Sequence, residues 1–247
     1  MDRWQDRVAV VTGASSGIGA ATAKALVEAG VVVVGLARRM DRMEALRAEL
    51  PEEMQGRFHL MHCDVADLDS LTAAFDWVEE QLGGVDILVN NAGCLFAGQL
   101  LTQELEKLEQ TWKVNIMGVL NCTRRAFRSM QQRDVAGHVV LINSLTGETI
   151  INPPGDELQV LNMYPLTKHG IKAMLEVLRQ EFRGFKTKIK ITSITPGVTD
   201  TEILPRGYDS LPMLRPEDIA AGIIYALATP PHVQVHQLTI KPLGEPF

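Results

Sequence analysis

Two periods of hydrophobicity alternate along this chain, and they set an element order before any residue is given a chemical role. Continuous apolar runs, rich in β-branched residues, recur at 8–11, 31–36, 58–63, 86–89, 137–144, 188–194 and 237–240. Runs of that length predict strands buried on both faces, as in a parallel sheet. Between them the apolar positions fall at helical spacing. Met43, Leu46 and Leu50 share one face, opposite the sign-alternating Arg42, Glu44, Arg47 and Glu49. Leu71, Phe75 and Val78 form a second stripe behind an expected N-cap at Asp67. A third, Ile171, Met174, Leu175, Leu178 and Phe182, follows one at Asn162. Further helical patterns cover 20–30, 102–112, 113–130 and 215–227. This unbroken strand-helix alternation, without internal repeats, predicts an α/β fold. The expected architecture is a single domain over 1–247, a doubly wound parallel sheet with helices on both faces.

Composition narrows the partners. The net charge of -6 in 247 residues argues against nucleic acid or an anionic membrane, both of which reward a basic surface. The longest apolar runs, such as 31–37, are far shorter than the roughly 20 residues a membrane span requires. The charged start, Met1-Asp2-Arg3-Trp4, does not read as a secretory signal. Cys63, Cys94 and Cys122 have no metal spacing and read as reduced thiols, which makes the cytoplasm the expected location. His59 and His62, three apart in a strand, point to opposite faces, so no metal site is expected.

Chemistry concentrates where strands end. Thr12-Gly13-Ala14-Ser15-Ser16-Gly17-Ile18-Gly19 joins the first strand to a strong helix former. A glycine turn opening a helix aims backbone N–H groups at an anion, so 13–19 is a candidate phosphate cradle; the plainer reading is a tight packing turn. The second strand ends on Arg38 and Arg39, where a chain binding an unphosphorylated ribose would carry an acid. One or both arginines therefore suit a 2'-phosphate, and one of them could equally belong to the solvated face of the next helix. Asn90-Asn91-Ala92-Gly93 and Ser144 are expected at the edge of the sheet where ligands bind. The long loop after Ser144, with Pro153, Pro154, Gly155 and Asp156, is expected to be functional. Asn115, in an apolar helix, is either a satisfied core amide or a functional one. Tyr164 and Lys168 share a helix face about 5 to 6 Å apart at Cβ. A cation that close can lower a phenol pKa by roughly 1 to 3 units, making Tyr164 a candidate general acid/base; the alternative is a surface pair.

In this order the motifs resemble the short-chain dehydrogenase/reductase family over essentially the whole chain. The likeness rests on Thr12-Gly13-x-x-x-Gly17-Ile18-Gly19, Asn90-Asn91-Ala92-Gly93, Asn115, Ser144, Tyr164-x-x-x-Lys168 and Pro196-Gly197. It implies a Rossmann-type sheet of about seven strands and a tetrad of Asn115, Ser144, Tyr164 and Lys168. Tyr164 would exchange a proton with the substrate oxygen, and Lys168 would lower the tyrosine pKa and hold the nicotinamide ribose. Ser144 would bond the substrate oxygen, and Asn115 would position a proton-relaying water. For the cofactor it implies contacts from Gly13, Ser15, Ser16, Gly17, Ile18 and Gly19. Asp64 and Val65 would border the adenine, with Asn91, Ala92 and Gly93 lining the cofactor. Beyond Pro196 and Gly197, Val198 and Thr201 would hold the carboxamide.

A closer resemblance is to the family's farnesol dehydrogenase-like branch, near the dehydrogenase/reductase member 11 group. It is carried by the start 1–4, by 35–39 and by 229–235. The branch implies NADP(H) and a lipophilic alcohol or carbonyl substrate such as a farnesol-like isoprenoid. The alternatives are a carbonyl or steroid reductase of the same family and a non-catalytic NADPH-binding sensor. Family members pair through helices corresponding to 115–130 and 164–182, so a homodimer or homotetramer is expected. Departures fall around the substrate: Thr146-Gly147 stands where Ala-Gly is common, and Thr199 where an aliphatic residue is common. The walls expected there are a loop around 145–162 and a short lid around 198–215. Cys94 either lines that pocket or is an inert thiol.

Overall fold

In the computed structural model, which describes residues 1–151, 161–205, 208 and 210–246, seven strands make one parallel sheet. They are β1 (Val8–Thr12), β2 (Val32–Ala37), β3 (Phe58–His62), β4 (Ile87–Asn90), β5 (His138–Ile142), β6 (Lys190–Pro196) and β7 (Gln237–Ile240). The spatial order is β3-β2-β1-β4-β5-β6-β7. From β1 the chain winds outward to β3, then returns to pair β4 on the other side of β1, with Ala9 opposite Ile87. The connections before and after that reversal leave the sheet in opposite directions, opening a crevice at the C-terminal ends of β1 and β4.

The helices are α1 (Gly17–Glu28), α2 (Met40–Ala48), α3 (Glu52–Gln55), α4 (Leu68–Leu82), α5 (Leu105–Trp112), α6 (Val119–Gln132), α7 (Met163–Gly184) and α8 (Pro216–Ala228). They cover both faces because the central strands are apolar on both: every residue of β1, β4, β5 and β6 is buried. On one face Phe75, Met130 and Leu175 pack over Leu88 and Leu141; on the other, Leu26, Ile219 and Ile223 pack over Ala9 and Val140. Among the described residues no helix is long and apolar enough to cross a membrane.

The Asp67 carboxylate caps α4 as expected, accepting from the backbone N–H groups of Asp69 and Ser70. Asn162 accepts from the Met163 N–H at the start of α7. Other boundaries move. Thr102 does not open a helix, because 99–103 closes on itself through Gln99, and α5 begins at Leu105. Residues 113–130 are not a separate helix: α5 and α6 run together through a π-helical turn, Lys113–Gly118, that contains Asn115. The strand expected to reach Ser144 ends at Ile142, and Ser144 instead caps a short 3-10 turn, Leu145–Gly147. The loop residues Pro153, Pro154, Gly155 and Asp156 lie outside the described residues.

Candidate active site

The crevice is tied together by side chains on its own rim. The Thr12 hydroxyl, at the end of β1, accepts the N–H groups of Asn91 and Ala92, both at 3.0 Å. The Asn91 amide answers by donating to the carbonyls of Thr12 (2.9 Å) and Gly13 (3.3 Å). The glycine turn is thereby fastened to the end of β4. Gly13 has φ +68°, a left-handed conformation costly for other residues. At Gly19 the constraint is contact, since a Cβ there would lie 2.3 Å from the Gly13 carbonyl oxygen. Gly19 therefore seats α1 against the turn, and it does not line the cavity. Ser16 precedes α1 without a side-chain capping bond, and Ser15, Ser16, Gly17 and Ile18 all line the cavity at that helix N-terminus.

The two arginines after β2 part company. Arg39 donates through Nη2 to the hydroxyls of Ser16 (2.7 Å) and Ser15 (3.2 Å), while its Nη1 is 2.8 Å from the Glu202 carboxylate. Arg38 is largely exposed and lies 3.8 Å from Asp64. A guanidinium fork converging with two serine hydroxyls beside a helix N-terminus suits a phosphate group.

Farther along the same cavity, of about 510 Å³, stand Ser144, Tyr164 and Lys168. The short turn after β5 presents Ser144, and the first turns of α7 present the other two. Tyr164 is hydrogen-bonded to Ser144, whose oxygen also accepts from the Thr146 hydroxyl at 3.0 Å. Lys168 Nζ donates to the Ile142 carbonyl at 2.7 Å and lies 5.3 Å from the centre of the Tyr164 ring. Burial lowers the Lys168 pKa to about 8. Burial also pushes the Tyr164 phenol above its ordinary value, against the opposing pull of the Ser144 hydrogen bond. The net direction expected for the tyrosine pKa is thus reversed in the free chain: removing the phenol from water outweighs the hydrogen bond with Ser144. The phenol is held protonated, the form of a general acid.

Asn115 is brought to the rear of this group and not into the cavity. Its Oδ1 accepts the Cys94 N–H at 2.9 Å, and its Nδ2 donates to the Cys94 carbonyl (3.0 Å) and to the Thr167 hydroxyl (3.1 Å). Thr167 donates in turn to the Tyr164 carbonyl at 2.7 Å. The side chain fastens the segment after β4 to the helix that carries Tyr164. Both amide hydrogens are engaged within the chain, which leaves the side chain no free donor for a water.

The other expected positions, Gly13, Asp64, Val65, Asn91, Ala92, Gly93, Pro196, Gly197, Val198 and Thr201, all line the cavity. Cys94 lines it too, with a thiol pKa raised by burial, which leaves it unreactive near neutral pH. Five polar residues of the wall went unmarked in the sequence: Gln110, Asn143, Glu202, Tyr208 and Glu245. Asn143 is buried beside Ser144. Glu245 is far from every motif, yet its carboxylate accepts the Val198 N–H at 2.7 Å. No local spacing could have found Glu245, which arrives from a different stretch of chain, whereas Glu202 directly follows the expected Thr201. Asn143 adjoined a marked residue and was legible in principle.

The fold and the clustered side chains define a nucleotide-crevice oxidoreductase, and the short chain dehydrogenase family model matches residues 7–209, so the chain belongs to that family. Among curated proteins it is similar to the farnesol dehydrogenase of Aedes aegypti, 49% identical over 250 residues and covering 100% of both chains. It is also similar to the human dehydrogenase/reductase SDR family member 11, 37% identical over 255 residues, covering 98% of this chain and 96% of that one. Among solved structures, the alcohol dehydrogenase of the archaeon Thermococcus sibiricus complexed with 5-hydroxy-NADP superposes with a TM-score of 0.83. It is 26% identical, with 97% of each chain covered.

Proposed function

We propose that this chain is an NADP(H)-dependent oxidoreductase that interconverts a lipophilic alcohol and its aldehyde or ketone, a farnesol-like isoprenoid being the leading substrate. The observation that carries this reading is one cavity with Arg39, Ser15 and Ser16 at one end and the hydrogen-bonded Tyr164 and Ser144, with Lys168, at the other. The N–H groups of α1, the Arg39 fork and the Asp64–Val65 rim fit a dinucleotide carrying a 2'-phosphate. When bound, it would supply hydride exchange at the substrate carbon. Tyr164 donates its proton to the developing alkoxide in reduction and takes it back in oxidation. Ser144, oriented by Thr146, donates a hydrogen bond to the same oxygen as charge develops there. Lys168, a cation in the wall at neutral pH, stabilises the phenolate left behind and holds the ribose.

The far wall is apolar. Leu145, Ile151, Leu161 and Leu204 face the cavity from the segments around 145–162 and 198–215, which we assign to substrate, and Phe96 joins them from the segment after β4. A second reading, a reductase of steroid or dicarbonyl compounds, is favoured by Tyr208. Its buried hydroxyl borders this cavity and has no hydrogen-bond partner among the described residues, so it would accept a second polar atom on the substrate. The exposed Leu166, Val177 and Phe185 on and just past α7 support a homodimer or homotetramer. A single-domain cytoplasmic enzyme is the simplest setting.

The test is NADP+ reduction with farnesol, run beside NAD+ and a Tyr164→Phe protein. Turnover should prefer NADP+ and fall more than about tenfold, or ~1.4 kcal/mol of barrier, in the variant. NADPH binding without turnover of farnesol or of a carbonyl panel would leave only the sensor reading.

A further inference from the structure

Arg39 does not wait alone at the end of the crevice. Its Nη1 holds the Glu202 carboxylate at 2.8 Å, and Arg42 grips the other oxygen of the same carboxylate. Glu202 reaches this place from the segment after β6, 163 residues along the chain from Arg39. Its charge is secure, since the two guanidinium groups lower the carboxyl pKa. An anion borne by the chain thus occupies donors that, with Ser15 and Ser16, form the candidate phosphate seat. Both partners remain near half exposed, 43% for Arg39 and 56% for Glu202, so water screens the pair and it is weak enough to exchange.

We infer that Glu202 sets cofactor discrimination by competing with the 2'-phosphate for Arg39 and Arg42. This rests on the NADP(H) reading above. A 2'-phosphate brings more negative charge and three acceptor oxygens to the same fork, and it displaces the carboxylate. A ribose with a free 2'-hydroxyl makes no such claim on the arginines, and Glu202 stays paired. The carboxylate therefore weakens binding of the phosphorylated ligand alone, and it narrows a preference that the arginines by themselves would make wider.

Calorimetric titration of the full chain and of Glu202→Gln with adenosine 2',5'-bisphosphate and adenosine 5'-monophosphate tests this without turnover. Glutamine keeps the size and removes the charge. In the variant, the bisphosphate should bind roughly three- to tenfold tighter, the range expected for releasing two exposed ion pairs, while the monophosphate changes less than about twofold. If the wild-type chain prefers the bisphosphate but Glu202→Gln binds it no more tightly, Glu202 is not a competitor and the inference fails alone. If the wild-type chain and Glu202→Gln each bind the two nucleotides equally, the 2'-phosphate reading itself fails and takes the inference with it.

Discussion

Asn115 offers the sharpest separation of a fastening role from a chemical one. Replacing it with alanine removes an acceptor from the Cys94 N–H and a donor from both the Cys94 carbonyl and the Thr167 hydroxyl. The residue is 2% exposed, so water does not readily take its place. With buried groups left unsatisfied at about 1 to 3 kcal/mol, and with bonds partly replaced by relaxation, the net loss should be about 3 kcal/mol. For a chain of this size that is a fall in Tm of roughly 6 to 12 °C. Thr167→Val, which loses the contact to Asn115 and the bond to the Tyr164 carbonyl, should lose about half as much stability. Turnover should drop in both variants in step with stability, because the helix start that aims Tyr164 loosens. Thermal unfolding and steady-state kinetics on the same preparations provide the comparison. An Asn115→Ala protein that melts within about 2 °C of the wild type while its turnover collapses would refute the fastening argument and assign the amide to the chemistry.

Lys168 and Gly19 extend the same reasoning to charge and to packing. The folded pKa of Lys168, about 8, lies below its ordinary 10.5, so between those values the unfolded chain holds a proton that the folded chain has shed. The lysine's burial penalty is therefore present below pH 8 and relieved as pH rises through 8 toward 10.5. Urea unfolding of wild type and Lys168→Met at pH 7 and pH 10 should show the difference moving toward the wild type by up to about 3 kcal/mol. A pH-independent difference would mean that the lysine is not desolvated. For Gly19→Ala, helix propensity favours alanine by about 1 kcal/mol, but the contact with the Gly13 carbonyl opposes it. Overpacking should win by about 1 to 2 kcal/mol, with weaker nucleotide binding. Gly184→Ala, at the end of α7 with nothing within 4 Å, should not lose stability, and a similar loss there would undo the contact argument.

Local sequence determined the strand-helix order, the parallel sheet and the places where chemistry collects. Those features depend on hydrophobic period and on turn residues, which act over a few positions. The runs at 31–36 and 237–240 became β2 and β7 almost without change, and Asp67 capped its helix as its type and place required. The glycine turn, Ser144, Tyr164 and Lys168 were legible for the same reason: each stands at a strand end or helix start that its neighbours define. Boundaries proved softer where tertiary contacts compete with propensity, as at Ser144 and in the π turn around Asn115.

Only the tertiary structure decided what these groups meet. It placed Arg39 and not Arg38 on the serine hydroxyls, brought Glu202 and Glu245 to the cavity from distant segments, and bound the Asn115 amide to Cys94 and Thr167. It also reversed the sign expected for the Tyr164 pKa, because desolvation depends on everything packed around the phenol, whereas spacing along a helix reports only one neighbour. Hydrophobic pattern is a local property of the chain; charge pairing, burial and hydrogen-bond satisfaction belong to the packed whole.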